Sequence, residues 1–279
     1  MRDVVAITGA GGMGMACARR LGFGRHLVLA DYDTNLIETA AADLTRDGYS
    51  VTTLKLDVAD KAAVASFAGL VESAGPLRIL IHTAGRTPRN TSADQIYAIN
   101  LLGACYVCDA FLPLARPGTA AITVSSTAGH IASLSKEVER RLALDPPDRL
   151  MDAVRTIDGW SDPFQAYGIA KRMIQLRAEA DAAAWGARGG RIISISPGVI
   201  ATAMNRIESE KYAIINEIGL TAPVGRVGTA EDIAATIEWL TSPLASFITG
   251  CDLRIDGGLT AAQRWGNSSV GPMERRSHK

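Results

Sequence analysis

The residues Val4-Val5-Ala6-Ile7-Thr8 run directly into Gly9-Ala10-Gly11-Gly12-Met13-Gly14, and a helical pattern follows from 12 to about 21. A short apolar strand that becomes a helix through a cluster of glycines leaves few architectures open. The strand has no polar face, so it must be covered on both sides, as strands of parallel sheets are. The glycines permit a tight turn and close approach of a phosphate group. The helix N-terminus behind them presents unpaired N–H groups and a partial positive charge. The segment reads as a nucleotide cradle with Gly9, Gly11, Gly12, Met13 and Gly14 as its contacts.

The same rhythm continues along the chain. Apolar strands are predicted at 26–30, 51–56, 78–82, 120–124, 191–195 and 252–255. Helices are predicted at 34–46 (capped by Asp33 or Thr34), 61–73, 96–114, through Tyr167 to about 185, and 231–240. Alternation of this kind, with right-handed crossovers, predicts an α/β single-domain Rossmann fold: a doubly wound parallel sheet of about seven strands. The 279 residues, 47% of them hydrophobic, suffice for one such core, and no composition break divides them. The domain is expected over 1–258, followed by a polar tail, 259–279, mobile at its end.

One segment interrupts the alternation. Residues 133–162 carry Leu134, Val138 and Leu142 at helical spacing, then Pro146-Pro147, then Leu150, Val154 and Ile157. This predicts a helical hairpin with one apolar face, the second helix capped by Asp148. The face could roof a hydrophobic substrate or pack on the chain's own helices.

Composition narrows the function classes. The formal net charge is zero, which gives no electrostatic footprint for nucleic acid or an anionic membrane. Met1 leads almost directly into the first strand, without the pattern of a signal peptide, and no apolar run is expected to span a membrane. A cytoplasmic protein is the expectation. Cys105 and Cys108 form a C-x-x-C inside an apolar helical stretch with no second Cys or His pair nearby, so they read as helix packing rather than metal ligands. His26, His82, His130 and His278 show no ligand or triad spacing.

The chemistry-bearing residues are spread over the strand ends. Asp31 closes the second strand about 20 residues after the glycines, where a carboxylate meets ribose hydroxyls and repels a 2′-phosphate. The glycine loop itself holds no Arg or Lys. Both features point to NAD. Asp57-Val58 is placed to meet the adenine, and Thr83-Ala84-Gly85 stands where a cofactor crosses the sheet edge. Tyr167 and Lys171 lie at i and i+4 on one helix face. A cation held beside a phenol favours its ionised form, which suits Tyr167 to exchange a proton with a carbonyl/alcohol pair.

With the glycine loop, Asn100, Ser125-Ser126 and Tyr167-x-x-x-Lys171 in this order, the chain resembles the short-chain dehydrogenase/reductase family from about Asp3 to Gly258. Pro197-Gly198-Val199-Ile200-Ala201-Thr202, Thr249-Gly250 and Asp256-Gly257-Gly258 match further motifs. The resemblance implies that Tyr167 transfers the proton and that Lys171 lowers its pKa and bonds the nicotinamide ribose. It gives Ser126 the substrate oxygen, because Ser126-Thr127-Ala128-Gly129 fits the family spacing. Asn100 would hold a water that links Lys171 to solvent. Ile200 and Thr202, beside Pro197 and Gly198, would fix the carboxamide. Residues 203–219 resemble a substrate lid with Met204, Ile207, Ile214 and Ile218 as contacts.

The chain departs from the family pattern in three places. The glycine loop is one residue short, leaving Gly11, Gly12 and Gly14 open as the pyrophosphate contact. His82-Thr83 replaces Asn-Asn, which is expected to weaken a structural hydrogen bond. The 133–162 insertion is similar to that of bacterial hydroxysteroid dehydrogenase/carbonyl reductases. The resemblance implies NAD(H)-dependent interconversion of a secondary alcohol and a ketone, with an apolar alicyclic or steroid-like substrate, in a homodimer or homotetramer. An NAD-retaining dehydratase or epimerase and a non-catalytic NAD-responsive binding protein are the alternatives.

Overall fold

The computed structural model describes residues 2–202 and 219–266. Seven parallel strands form the sheet: β1 (Val4–Thr8), β2 (His26–Asp31), β3 (Ser50–Lys55), β4 (Leu77–His82), β5 (Ala120–Val124), β6 (Arg191–Pro197) and β9 (Asp252–Ile255). Their order is β3-β2-β1-β4-β5-β6-β9, so the sheet winds outward in both directions from β1 and β4. The reversal lies between β1 and β4, where a crevice opens at the carboxyl ends of the strands. A two-stranded ribbon, β7 (Ile200–Ala201) and β8 (Gly228–Thr229), sits beside it.

The central strands are buried along their whole length, which explains their unbroken apolar sequences. One face of the sheet packs on α1 (Gly12–Leu21), α2 (Thr34–Arg46) and α9 (Ala230–Thr241). The other packs on α3 (Lys61–Ala74), α4 (Ala93–Leu114) and α8 (Pro163–Ala187). Helix starts follow local chemistry. Asp33 caps α2 through Asn35 N and Leu36 N, and Asp162 caps α8 with Pro163 in its first turn.

Four features differ from the sequence expectations. The stretch expected as one helix over 96–114 begins at Ala93 and changes pitch, with a π-helical turn over Tyr97–Leu102 and a 3₁₀ turn over Leu112–Leu114. This 22-residue stretch, whose most apolar 18 residues have mean hydropathy 1.5, is long and apolar enough to cross a membrane; here it is a core helix packed against the sheet and α8. In the insertion, α6 (Lys136–Leu144) and α7 (Pro147–Val154) form the expected hairpin. Pro146, not Asp148, is the N-cap of α7; Asp148 lies in its first turn, because Pro147 already supplies the first helical position. The segment after Gly258 continues as helix α10 (Leu259–Trp265). Asp256 Oδ1 and Oδ2 hold its start by accepting from Gly258 N (2.9 Å) and Thr260 N (2.8 Å). The expected lid lies outside the described residues except for Gly219.

The hairpin spends its apolar face inside the chain. Leu142, Leu150 and Val154 are fully buried against Tyr97 and Leu101 of α4 and against Ile169, Met173 and Leu176 of α8. Tyr97 Oη donates to Trp160 O at 2.8 Å, and Arg177 reaches the carbonyls of Leu142 and Asp145. Packing on the chain's own helices is therefore the role the fold assigns to this face.

Candidate active site

The glycine loop is shaped by close backbone approach. Gly9 has φ +92°, and a β-carbon there would lie 2.4 Å from Thr83 Oγ1. A β-carbon on Gly14 would lie 1.8 Å from the Gly9 carbonyl oxygen, so the first turn of α1 can pack on the loop only without a side chain. Gly11 faces open space, and no side chain caps α1, whose N-cap is Gly11. Uncapped N–H groups behind an unobstructed glycine fit a pyrophosphate. Met13 packs against the core. Thr202 borders the loop from the other side: a β-carbon on Gly12 would meet Thr202 Cγ2 at 3.3 Å.

Thr83 does not weaken this region as expected. Its Oγ1 lies 2.9 Å from Thr8 O and 3.0 Å from Gly9 O, tying β4 to the loop. His82, fully buried, is hydrogen-bonded through Nδ1 to Thr8 Oγ1 at 2.7 Å. Burial pushes its pKa down to about 3, so it is neutral.

Asp31 ends β2 beside the loop. Its Oδ2 accepts from Ala10 N at 2.7 Å and its Oδ1 from Asp33 N at 3.0 Å. A carboxylate has about four lone-pair sites, so acceptor capacity remains for two hydroxyls. Asp57 is exposed and accepts from Ala59 N, whereas Val58 turns into the core under Gly103. At the far side, Gly198 packs against Asp256, where a β-carbon would come within 2.8 Å, and Pro197 is buried at the end of β6. Ile200 is also buried.

Asn100, Tyr167 and Lys171 gather at the carboxyl ends of β4 and β5, and Ser126 lies just past the end of β5. A β-carbon on Gly85 would lie 3.2 Å from Asn100 Oδ1 and 3.6 Å from Lys171 Nζ. Lys171 is 5% exposed, donates to Val124 O at 2.8 Å and lies 5.7 Å from the Tyr167 ring centroid. Burial lowers its pKa to about 8. Asn100 sits in the π turn of α4. Its Oδ1 accepts from Arg86 N and its Nδ2 donates to Arg86 O, both at 2.7 Å. Its side chain therefore locks the β4–α4 loop. A π turn at such a place is a common mark of functional sites.

The two serines separate clearly. Ser125 is buried, with Oγ donating to Lys171 O at 2.6 Å. Ser126 is the more exposed and caps the one-turn helix α5 (Thr127–Ile131), accepting from Ala128 N at 3.2 Å. That bond uses a lone pair of Ser126 Oγ and leaves its O–H free to donate.

Sequence reasoning missed a polar network behind Ser126. Gln175, four residues beyond Lys171 on the buried face of α8, is fully buried and bonds both Ser126 O and Ser196 Oγ. A glutamine on an otherwise apolar face one turn after Lys171 was the available signal. His130 contacts Asp252 at 2.7 Å. Cys105 and Cys108 are buried in helix packing, with Cys105 Sγ 3.7 Å from Met173 Sδ, and burial raises the Cys105 pKa to about 12.

Known proteins resemble this chain in sequence and in fold. A family model described as short chain dehydrogenase matches residues 3–138, and one described as Enoyl-(Acyl carrier protein) reductase matches residues 151–260. The short-chain dehydrogenase/reductase bsc3 of Alternaria brassicicola is 31% identical over 266 residues, covering 93% of this chain and 96% of its own. The 3-alpha-hydroxysteroid dehydrogenase/carbonyl reductase of Comamonas testosteroni is 30% identical over 189 residues, 66% of this chain and 73% of its own. The solved structure of gox2181 superposes with a TM-score of 0.74 at 24% identity, over 93% of this chain and 96% of that one.

Proposed function

Because this chain belongs to the short-chain dehydrogenase/reductase family, an oxidoreductase family that uses nicotinamide cofactors on alcohol and ketone substrates, we propose that it interconverts a secondary alcohol and a ketone with NAD(H). The observation that carries the reading is the meeting of Lys171, Tyr167, Asn100 and the Ser126 turn beside an open glycine cradle.

The residues divide the work as follows. When bound, the nicotinamide supplies the hydride acceptor or donor. Tyr167 exchanges the proton with the substrate oxygen, and the Lys171 ammonium beside its ring favours the phenolate. Lys171 spends one N–H on Val124 O, which leaves two for the nicotinamide ribose and for a water on the Asn100 side. Ser126, its lone pair engaged by Ala128 N, points its hydroxyl hydrogen at the same oxygen and stabilises charge there. Gly9, Gly11, Gly12 and Gly14 would hold the pyrophosphate, and Ile200 and Thr202 would hold the carboxamide.

Asp31 carries the preference for NAD. Its carboxylate is fixed in place by two backbone N–H groups beside the glycine loop, where a 2′-phosphate would be repelled. Asp31→Ala is expected to raise kcat/KM with NADP relative to NAD by about tenfold or more; an unchanged ratio would remove Asp31 from the ribose site.

We assign the substrate to apolar alicyclic alcohols. The insertion, with its apolar face packed inside the chain, lends this no support. The support is the similarity to a hydroxysteroid dehydrogenase and two exposed apolar side chains near the site. Ile131 ends α5, 66% exposed, and Phe164 lies one turn before Tyr167, 71% exposed. The test is reduced-nicotinamide formation from NAD or NADP with alicyclic, aromatic and steroid secondary alcohols. Turnover with NAD and an alicyclic alcohol is expected. Cofactor binding without turnover on any alcohol or matching ketone would refute an oxidoreductase of this substrate class.

A further inference from the structure

We propose that Gln175 is a positioning residue for Ser126, held to its task by Ser196, Asp252 and His130; the proposal rests on the reading of Ser126 given above. The direction of each hydrogen bond follows from Asp252. Its carboxylate oxygens accept from the neighbouring hydroxyls. Its Oδ1 accepts from Ser196 Oγ at 2.9 Å and from Ser194 Oγ; its Oδ2 accepts from His130 Nε2 at 2.7 Å. Ser196 has then given its hydrogen to Asp252 and offers a lone pair to Gln175 Nε2 at 3.0 Å. This fixes which end of the amide is nitrogen. Gln175 Oε1 confirms the orientation by accepting from Arg172 Nη1 at 3.1 Å. The second N–H of Gln175 is left to reach Ser126 O at 3.3 Å.

The network holds α5 at two points. At one, Gly129 lies flat on α8: a β-carbon there would be 2.6 Å from Gln175 Nε2 and 2.9 Å from Arg172 N. At the other, the next residue, His130, is tied to β9 through Asp252. Ser126 sits at the start of the same turn, its carbonyl bonded by Gly129 N and by Gln175. Fixing that carbonyl holds the Ser126 backbone from which its side chain projects, while Ala128 N holds Oγ itself. Small errors in the aim of that side chain are costly to a reaction that needs aligned donors.

The test uses the full chain and compares wild type, Gln175→Leu, Ser126→Ala and the double variant, with thermal midpoint and NADH binding measured for each. Gln175→Leu is expected to lower kcat about tenfold while KM for the dinucleotide stays unchanged, and to have no further effect in the Ser126→Ala background. Equal losses in both backgrounds, or an unchanged kcat, would overturn the proposal while leaving the catalytic reading intact. A wild type that turns over no alcohol overturns both. Should Gln175→Leu fail to fold, the His130 pair carries the test. His130→Ala is expected to lower kcat with unchanged cofactor KM and His130→Gln, which keeps a donor for Asp252, to restore it; equal kcat in both His130 variants overturns the proposal.

Discussion

At Tyr167 the expected chemistry depends on a neighbour four residues away. Lys171 is buried, and its pKa is pushed down to about 8, so the charge beside the phenol is present near neutrality and lost in moderately alkaline solution. Tyr167→Phe keeps the ring and removes the proton-bearing oxygen. It is expected to lower kcat by roughly 10²–10⁴ with little change in cofactor affinity, read from steady-state kinetics and NADH binding. Activity within twofold of wild type would remove Tyr167 from the proton step. His82 makes a different prediction. The unfolded chain takes up a proton near the ordinary histidine value of 6.5, whereas the folded chain refuses it down to about 3. In that window the unfolded state binds more protons, so stability is full above it and falls as pH drops, by up to about 1.4 kcal/mol per pH unit. His82→Asn is expected to lose less stability than wild type between about pH 7 and pH 5 in urea unfolding. An equal loss would mean that other groups govern the acid response.

Among the elements, legibility varied with its physical origin. The strands and most helices were readable because burial on both faces of a sheet imposes continuous apolar runs and helical packing imposes a 3.6-residue period. The π turn in α4 was not; it carries Asn100, whose side chain bonds both backbone groups of Arg86, a contact across a loop rather than along the helix. The short helix α10 was also missed, because its start depends on Asp256 accepting from Gly258 and Thr260. The hairpin was legible as an amphipathic pair, but its target was not. Leu150 is fully buried in the cluster that joins α7 to α4 and α8. Leu150→Ala is expected to cost about 2–5 kcal/mol of unfolding free energy and to leave KM for the dinucleotide unchanged. A cost under about 1 kcal/mol would mean that the hairpin is loosely attached.

For the molecule as a whole, the hairpin changes which surfaces remain to be paired. The α4–α8 face is covered over its upper part by α6 and α7 from the same chain. Beyond the end of α9, Leu244 and Phe247 remain exposed at 86% and 102%, a few residues before the edge strand β9. Exposed apolar side chains and an open strand edge both favour association. Light scattering after size exclusion is therefore expected to give a homodimer, not a tetramer. A tetramer would show that the uncovered part of the α4–α8 face still pairs.

By itself, the amino-acid sequence determined the sheet and its winding, the glycine-rich turn, Asp31 at the end of its strand, and Tyr167 and Lys171 on one helix face. These depend on local spacing and on rules that hold for any sheet of this kind. Only the tertiary structure decided which of two adjacent serines is turned outward, what the hairpin covers, and how Gln175, Ser196, Asp252 and His130 join behind Ser126. Those outcomes rest on contacts between residues 21–122 positions apart, and no periodicity records them. Ser125 and Ser126 differ by one position in the chain. Their roles differ because one side chain meets the Lys171 carbonyl inside the fold and the other caps a helix at its edge.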